Sequence, residues 1–245
     1  MALQVQIWIK SIIENLFADN SFASKSVDHS EFVNEKTVHV PNAGAAPSVV
    51  KNRTTFPAAV TTREDVDLSY DIDEFSVDPI RIPNADKVEL SYNKRESIIR
   101  GSRNKLADDI HASLIYSWIP SGVNTIFTEG AAVTAHIASA TGNRKSMTKA
   151  SVEAAQLLFD SQNIPQTGRY MLLDAYMYNQ LKNSMTNNEV VAFLAGADPE
   201  KGVIGEYAGF RFYKRGQVAK TTKAGVLKEW SAAADATDSA AGLAW

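Results

Sequence analysis

Cysteine is absent from the 245-residue chain, and this one absence removes several classes of chemistry. Thiol nucleophiles, disulfide frameworks and thiolate metal sites all require cysteine. Histidine is scarce, and the histidines show no i, i+2 or i, i+4 pair that would place two metal ligands side by side. The four are His29, His39, His111 and His136. The sequence therefore predicts no metal site and no cofactor.

The glycine patterns of nucleotide and acyl-transfer sites are missing as well. The chain has no G-x-x-x-x-G-K-[ST] phosphate loop, no G-x-G-x-x-G turn and no G-x-S-x-G nucleophile elbow. Because no residue set stands out as catalytic, we expect a protein that is not an enzyme. An enzyme of unknown class is the alternative, and it would need a pocket that gathers Asp, His and Lys side chains from distant positions.

The chain has neither a basic excess nor a long apolar run. Its formal net charge is −3 at pH 7, whereas proteins that wrap nucleic acid usually carry an excess of Lys and Arg. Tight, sequence-independent DNA binding by the whole chain is therefore not expected. No apolar stretch approaches the roughly 18 residues that cross a bilayer, so we expect no membrane contact. The N-terminus lacks the basic region and cleavage site of a signal peptide, and we expect it to be retained.

The first twenty residues carry apolar side chains at nearly helical spacing, among them Ile9, Ile13 and Phe17. This pattern predicts an amphipathic N-terminal helix, which the polar stretch Asp19 to Ser21 interrupts. Two interpretations stay open: the helix packs on its own domain, or it is an arm that docks on a neighbouring subunit. In the second interpretation, these three apolar residues belong to a subunit interface.

Residues 36–82 have the pattern of an extended β-ribbon. Thr37 to Val40 predict a short strand, ended by Pro41 and the turn at Asn42 to Gly44. Residues 65–73 alternate strictly between apolar and polar side chains, which predicts a second strand with two unlike faces. Several prolines argue against a central strand of a large sheet. An isolated two-stranded ribbon is marginal in water, so we expect this one to lie on another surface.

The second strand is predicted to have one dry face and one strongly acidic face. The dry face comprises Val66, Leu68, Tyr70 and Ile72, and the acidic face Asp65, Asp67, Ser69, Asp71 and Asp73. Alternate carboxylates lie about 7 Å apart on one side of a strand, which is a conceivable cation site. The run lacks the glycine turn and bidentate Glu of a calcium loop, so we favour an acidic face that meets solvent or a partner. Cations that could offset the repulsion, in cis or from a neighbouring copy, are Lys51, Arg53, Arg63, Lys94, Arg95, Arg100 and Arg103.

A long helix is predicted from about Ala85 to Ile119, because the stretch lacks proline and its apolar residues recur at helical intervals. The stripe comprises Ile99, Leu106, Ile110, Leu114 and Trp118, with Arg103 among them. Asn84 or Asp86 is the expected cap, and the Ile119-Pro120-Ser121-Gly122 segment the expected end. Some 30 residues would reach about 45–50 Å, far more than a typical globular helix. For the basic cluster on this helix we prefer an acidic protein neighbour over nucleic acid.

The rest of the chain predicts a loop, a compact α+β unit and a weakly patterned end. Residues 121–147 are small and polar and predict a surface loop. Residues 148–213 predict three helices, one buried strand and two further strands around Gly209. Asp174, at the end of the buried strand, is the expected cap of the next helix. Residues 219–242 give weak signals, and Gly242 to Trp245 predict the start of a buried strand. Because ending on an apolar strand is unusual, we expect the sequence to be truncated there.

The order of these parts resembles that of the HK97-like major capsid proteins of tailed phages and prophages. In that family an N-terminal arm, an extended loop, a spine helix and an axial domain follow one another. Five segments are also similar to capsid sequences, three of them to those from phages of Bacteroidetes-type hosts. They are Val40-Pro41-Asn42-Ala43-Gly44, Asn52-Arg53 with Phe56-Pro57-Ala58, Leu90-Ser91-Tyr92-Asn93-Lys94-Arg95-Glu96-Ser97, Arg169-Tyr170-Met171-Leu172-Leu173-Asp174 and Ile204-Gly205-Glu206-Tyr207-Ala208-Gly209-Phe210.

The resemblance, which covers most of residues 1–215, implies an α+β HK97-like capsid fold. The implied parts are an N-terminal arm (1–35), an extended β-ribbon loop (36–84), a spine helix of the peripheral domain (85–122), an axial domain (123–226) and an incomplete return to the peripheral domain (227–245). Copies would self-assemble into pentamers and hexamers of an icosahedral shell, forming a virion assembled in the cytoplasm of a bacterial host. The implied partners are sister copies, scaffolding, portal and maturation protease proteins, and weakly contacted double-stranded DNA.

Two further alternatives stay close to this expectation. An encapsulin-like compartment shell would have the same fold and would enclose an enzyme cargo instead of DNA. A tail or adaptor protein of the virion is less compatible with the long helix. No residue is singled out for a covalent cross-link between copies.

Overall fold

The computed structural model describes residues 17–29, 31, 33–34, 36–58, 60, 62–82, 93–119 and 124–245. The chain divides into two compact units. The smaller unit is Ser26–Ser76, and the larger one combines the described residues up to Lys25 with those from Val77 onward. The predicted N-terminal helix lies, apart from its last residues, outside the described residues.

The smaller unit is an antiparallel ribbon of strands in the order β1-β2-β3. The strands are β1 (Val33–Asn34), β2 (Thr37–Asn42) and β3 (Val66–Asp71). The register of β2 and β3 pairs Thr37 with Asp71 and Asn42 with Val66. Both strands expected from the sequence are present, and a long loop of residues 43–65 joins them.

Strand β2 continues through Pro41, where the sequence predicted its end. The N–H of Ile72 donates to the carbonyl of Lys36 (2.8 Å), so every second pair counted from these two is a hydrogen-bonded pair. Pro41 faces Asp67 in one of the intervening pairs, where a backbone N–H would point away from β3. Among the described residues, β1 pairs with β2 at Thr37 and Val38, so Pro41 removes no hydrogen bond of the β2–β3 ladder.

The larger unit is built on a mixed sheet with the strand order β11-β6-β8-β7. Strand β6 (Arg169–Asp174) runs parallel to β8 (Phe210–Arg215), and β7 (Gly205–Tyr207) and β11 (Leu243–Ala244) add antiparallel edges. Side chains of β6 and β8 alternate between two hydrophobic clusters, because both faces of these central strands are buried. Met171, Leu173, Phe210 and Phe212 enter one cluster, and Leu172 and Tyr213 enter the other.

The described residues of this unit form four α-helices. They are α1 (Lys94–Trp118), α2 (Lys149–Ser161), α3 (Ala175–Ser184) and α4 (Asn187–Ala195). The carboxylate of Asp174 caps α3 by accepting a hydrogen bond from the N–H of Met177 (2.5 Å), as the sequence predicted. Thr186 and Glu189 form a capping box at the start of α4. The predicted strand pair around Gly209 is also present, with this glycine at a φ of 78° in the turn.

Helix α1 is shorter than predicted and begins later. It spans 25 residues, or about 37 Å, and its N-cap is Asn93, whose side chain accepts a hydrogen bond from the N–H of Glu96 (3.2 Å). The predicted caps Asn84 and Asp86 lie outside the described residues. This Asn-x-x-Glu pattern is a local signal for the start of a helix. The sequence interpretation overlooked it and placed the start too early.

The predicted apolar stripe of α1 is not a single buried face. Ile115, near the end of the helix, is completely buried in the cluster with Phe22 and Leu172. Ile99 and Ile110 of the predicted stripe are instead 53% and 38% exposed. The reason is that α1 contributes to the buried clusters through its last turns, so a periodic pattern along the whole helix overstates what is covered.

The predicted loop at residues 121–147 contains a small hairpin that the sequence did not predict. Its strands are β4 (Ala132–Thr134) and β5 (Asn143–Lys145), paired antiparallel. The guanidinium of Arg144 donates to the carbonyl groups of Ala236 (3.3 Å) and Asp238 (2.7 Å). These partners lie more than 90 residues further along the chain, so local composition gives no indication of the contact.

The weakly patterned end of the chain also forms strands. Strand β9 (Ala219–Thr221) pairs with β10 (Ser239–Ala241), and β11 pairs with β6. Leu243 is 6% exposed, and the main chains of Trp245 and Tyr170 exchange two hydrogen bonds of 2.8 and 3.0 Å. The prediction of a buried strand at this position is confirmed.

Candidate assembly surfaces

The apolar face predicted for β3 exists, but the chain itself leaves it exposed. Val66, Leu68, Tyr70 and Ile72 are 63, 59, 47 and 45% exposed. Val38 of β2, opposite Tyr70, is the buried part of this face. The face predicted to be dry is thus uncovered in the single chain, which agrees with the expectation that the ribbon lies on another surface. A contiguous exposed apolar strip of this kind is typical of an interaction surface.

The acidic face of β3 is bound in large part by β2. The Oδ2 atom of Asp67 lies 2.6 Å from Nδ1 of His39, and Oδ1 of Asp71 accepts a 2.8 Å hydrogen bond from the hydroxyl of Thr37. These residues meet because the register places the odd-numbered side chains of both strands on one face. The cross-strand bonds support this register and occupy carboxylate oxygens on this face.

Hydrogen bonds to Asp65 join the two ends of the loop at residues 43–65. Asp65 accepts hydrogen bonds from the N–H of Gly44 (2.9 Å) and from Nε and Nη2 of Arg63 (2.6 and 2.9 Å). The Arg63 guanidinium, and after it the Gly44 amide, hold the pKa of Asp65 below its ordinary value. Glycine is required at position 44, because a Cβ there would lie 2.0 Å from the carbonyl oxygen of Glu64. Of the cations proposed for the acidic strand, Arg63 is thus bonded to it in cis.

An open groove of about 450 Å³ runs along the first turns of α1 in the larger unit. Its apolar lining comprises Val77, Ile80, Ile82, Ile98, Ile99 and Leu106, and its polar lining Asp78, Arg95, Ser102 and Arg103. Ile80 is 58% exposed, so the apolar floor is accessible to solvent. Two of the predicted interface residues, Arg95 and Arg103, are brought together at this groove.

The remaining predicted ribbon residues are not brought together. Lys51 is exposed and Arg53 is half-buried, and both lie in the loop of residues 43–65. Asp73 is exposed just beyond the end of β3. The ribbon is therefore acidic along its strands and carries basic residues in its loop.

The remaining predicted residues outside the ribbon are scattered along the larger unit. Arg100 pairs with Glu96 one turn earlier on α1 (3.3 Å), and Lys94 is the first residue of that helix. Phe17 is half-buried ahead of a short 3₁₀ segment at Ser21–Lys25. Ile9 and Ile13 lie outside the described residues.

Sequence reasoning missed two features of these surfaces. It did not identify Thr37 and His39 as partners of the acidic face, although their alternation with Val38 and Val40 is a period-two signal. It also missed the groove, because half of the apolar lining comes from an irregular segment at residues 77–82 that has no periodic pattern.

Charged groups inside the larger unit hold its elements together. Arg169, whose side chain is 2% exposed, bonds Asp160 at 2.7 Å and two backbone carbonyl groups of the preceding turn. The ammonium of Lys149 lies 2.8 Å from Glu189, and with the N–H and hydroxyl of Thr186 it lowers the pKa of Glu189 to about 2. Each arrangement neutralises a charge where a helix meets its surroundings, which is a structural role.

Burial raises the pKa of the Asp174 carboxyl, against the opposing effects of the Met177 and Tyr176 N–H groups and of His136. A carboxyl whose pKa is raised by folding contributes stability below its unfolded-state pKa. That contribution is lost as the pH rises through the folded-state pKa. The ionised Asp174 therefore costs stability at neutral pH, even though it caps α3.

We predict that Asp174→Asn is more stable than the wild type at pH 7, because the amide oxygen keeps the cap and the buried charge is gone. The difference should shrink as the pH falls towards 4, which thermal unfolding at a series of pH values would measure. Asp174→Ala, which loses the cap, should be about 1 kcal/mol less stable than Asp174→Asn. A wild type as stable as Asp174→Asn at every pH would contradict the role given to burial.

Among the residues whose structure is described, no three His, Asp or Glu side chains converge as metal ligands would. None of the described helices combines the length and the apolar composition that crossing a bilayer requires.

Solved phage structures have a similar fold. A chain of Mycobacterium phage Che8 has a TM-score of 0.57 and 19% identity, over 87% of this chain and 75% of its own. The capsid structure of the cyanophage P-SCSP1u has a TM-score of 0.56 and 16% identity, over 86% of this chain and 68% of its own. The capsid of Ralstonia phage GP4 has a TM-score of 0.54 and 11% identity, over 90% of this chain and 75% of its own.

At these identities the likeness is one of fold. The chain therefore has a mixed α/β fold similar to that of phage capsid structures. No family model and no curated protein sequence matches the chain.

Proposed function

We propose that the chain is a structural shell protein, the major capsid protein of a tailed phage or prophage, with the HK97-like fold. The observation that carries this proposal is the fold likeness to phage capsids, which extends over 86–90% of the chain at TM-scores of 0.54–0.56. Likeness over so much of the chain supports a fold that resembles a capsid subunit as a whole. The protein would act through assembly, without a catalytic role.

The exposed face of the ribbon supports a protein that is completed by sister copies. A single chain leaves Val66, Leu68, Tyr70 and Ile72 exposed, and a ribbon of this size is marginal when it stands alone in water. Covering this face with a neighbouring copy would bury the strip. Contacts made only by the folded subunit also stabilise that fold, because binding shifts the folding equilibrium.

The groove on α1 of a neighbouring copy suits this face in size and chemistry. The apolar strip from Val66 to Ile72 is about 20 Å long, since a strand rises about 3.4 Å per residue. The lined part of α1, from Arg95 to Leu106, is about 17 Å long at 1.5 Å per residue. Both surfaces present apolar side chains to solvent along nearly equal lengths.

The charges on the two surfaces would determine which part of the ribbon binds the groove. Two arginines, Arg95 and Arg103, outnumber the one carboxylate of Asp78 in the lining, so the loop with Lys51 and Arg53 would be repelled. The strand end with Asp73 carries the opposite sign and would be attracted. In such a contact the charges set orientation and register more than they set affinity.

The finer features of the proposal follow from the resemblance of the sequence to the HK97-like family. Subunits would form pentamers and hexamers of an icosahedral shell around double-stranded DNA, which they would contact weakly. The N-terminal arm, including Ile9 and Ile13, would also reach a neighbour. Scaffolding, portal and protease proteins would assist assembly in the cytoplasm of a Bacteroidetes-type host, and the product would be a virion. Heterologous contacts of this kind close into rings when the rotation allows.

The oligomeric state of the purified full chain tests the proposal. Mass measurement across a range of concentrations, with negative-stain electron microscopy, should find rings, tubes or closed shells beside the free subunit. A chain that stays monomeric at every concentration, with its ribbon face protected from solvent, would refute the proposal.

A further inference from the structure

His136, Gln180 and Met147 form a hydrogen-bonded chain between the β4–β5 hairpin and helix α3. The N–H of Met147 donates to Oε1 of Gln180 (2.9 Å), and Nε2 of Gln180 lies 2.7 Å from Nε2 of His136. His136 lies between the two strands of the hairpin, and Met147 follows the second strand. One side chain of α3 therefore binds the hairpin at two points.

The protonation state of His136 follows from these contacts. A backbone N–H can only donate, so Gln180 must turn its oxygen towards Met147 and its NH₂ group towards His136. The Nε2 atom of His136 must then accept, which leaves the ring proton on Nδ1. That nitrogen lies 3.8 Å from Oδ2 of Asp174. The arrangement thus holds the neutral imidazole in a single tautomer.

The ring is packed on several sides. Its side chain is 14% exposed, and the ring of Tyr176 stacks on it with centroids 4.7 Å apart and planes 18° apart. Asp174, at the end of β6, is the charged group that the described contacts place against the ring. Tyr176 on α3 is the other titratable group, while Gln180 and Met147 contribute neutral groups from α3 and the hairpin.

We infer that proton uptake by His136 releases Met147 from α3 and so loosens the β4–β5 hairpin. An imidazolium carries N–H groups on both nitrogens, so Nε2 would face the NH₂ group of Gln180 with two donors 2.7 Å apart. A charge-assisted hydrogen bond from the ring to the amide oxygen is stronger than the bond from a neutral N–H. Gln180 therefore turns its oxygen to the ring, and its NH₂ group then faces the N–H of Met147.

The two sides of His136 respond differently to the added proton. Asp174 faces Nδ1–H before and after protonation and keeps the ring in place, with a stronger attraction to the cation. Only the Nε2 side changes its partner atom, and the bond lost is the one that holds Met147. The inference is independent of the proposed function, because every group in it belongs to one chain.

Amide exchange in the full chain, followed by NMR together with the protonation of His136, tests the inference. The protection of the Met147 N–H, corrected for its intrinsic exchange rate, should fall about tenfold as His136 takes up its proton, as expected for one lost hydrogen bond. The Lys149 N–H, which donates to the hydroxyl of Ser184 (3.0 Å), serves as an internal reference and should keep its protection.

Two variants separate this mechanism from a general loosening by acid. In Gln180→Glu the carboxylate accepts from both the imidazolium and the Met147 N–H, so protection should persist when His136 is charged. In His136→Phe the ring still stacks on Tyr176 but takes up no proton, so the protection of Met147 should be independent of pH. Unchanged wild-type protection across the titration of His136, or an equal loss in wild type and Gln180→Glu, would overturn the inference.

Discussion

Replacing Val66 and Leu68 by serine is expected to abolish assembly of the full chain while the subunit stays folded. The two side chains are 63% and 59% exposed in the chain itself, so its own core loses little. Substitutions at such positions usually change the free energy of unfolding by no more than about 0.5 kcal/mol. In a shell, each copy would lose about 1.5–3 kcal/mol for every apolar side chain that the contact buries. Electron microscopy and thermal unfolding of the same preparation would measure both effects.

A matched control is available on helix α2, outside the ribbon. Leu157 is 70% exposed, so Leu157→Ser makes the same kind of change at a residue to which we assign no contact. This variant is expected to assemble as the wild type does. Wild-type assembly by the Val66→Ser, Leu68→Ser variant would remove the role given to the ribbon face. A large loss of thermal stability would instead mean that the face is needed within the chain.

The ribbon was largely predictable because period two is a local signal. Residues 65–73 predict the strand and its two faces, and the structure has both. Whether a face is covered is a different question, because burial depends on which surface meets it. The sequence therefore predicted the pattern of β3 correctly, while the surface that covers its apolar face stays a prediction. Pro41 is a second example. Whether a strand can continue through a proline depends on whether its missing N–H would point towards the paired strand, and the sequence does not show this.

The sheet unit was predicted well where segments were short and strongly patterned. Strand β6 and the Asp174 cap were found because a buried run followed by a capping residue is a local signal. The β4–β5 hairpin was missed because Arg144 and its distant carbonyl partners hold it in place. The start of α1 was missed although the Asn93 and Glu96 pair is local, because the helix was extended back to an earlier candidate cap.

In the candidate assembly surfaces too, features with a local pattern were predictable, and features that depend on the tertiary fold were not. The exposed apolar strip and the acidic residues of β3 were identified from alternation alone. The bonds of His39 and Thr37 to those acids require the register of β2 and β3, which the sequence does not provide. The groove requires residues 77–82 to meet the first turns of α1, and that contact depends on the tertiary fold.

Part of the apolar surface of α1 is exposed, so the contacts that attach this helix to the sheet matter for its stability. The first turns of this helix border the open groove, and its second half is attached to the sheet unit. There, Ile115 enters the core, and Asp108 bonds the side chain of Arg215 from β8. The Asp108–Arg215 contact is therefore one of those that join α1 to the sheet.

Replacing Asp108 by alanine is expected to lower the free energy of unfolding by about 3 kcal/mol. The side chain of Arg215 is 5% exposed, and it bonds both the carboxylate and the main-chain carbonyl of Asp108, the latter at 3.2 Å. Without the carboxylate, a buried cation loses its counter-charge, which is among the costliest single changes in a protein. Asp108 is 26% exposed, so incoming water would recover part of the loss. Chemical denaturation of the unassembled subunit would measure the difference.

The neighbouring residue provides the control, because Asp109→Ala makes the same change one position along the same helix. Asp109 pairs at 2.5 Å with Lys105, whose side chain is 63% exposed, and such surface pairs contribute about 0.5 kcal/mol or less. The double variant Asp108→Ala, Arg215→Met should recover part of the stability lost in Asp108→Ala, since it removes the unpaired cation. Equal, small effects of Asp108→Ala and Asp109→Ala would mean that α1 is held by apolar packing alone.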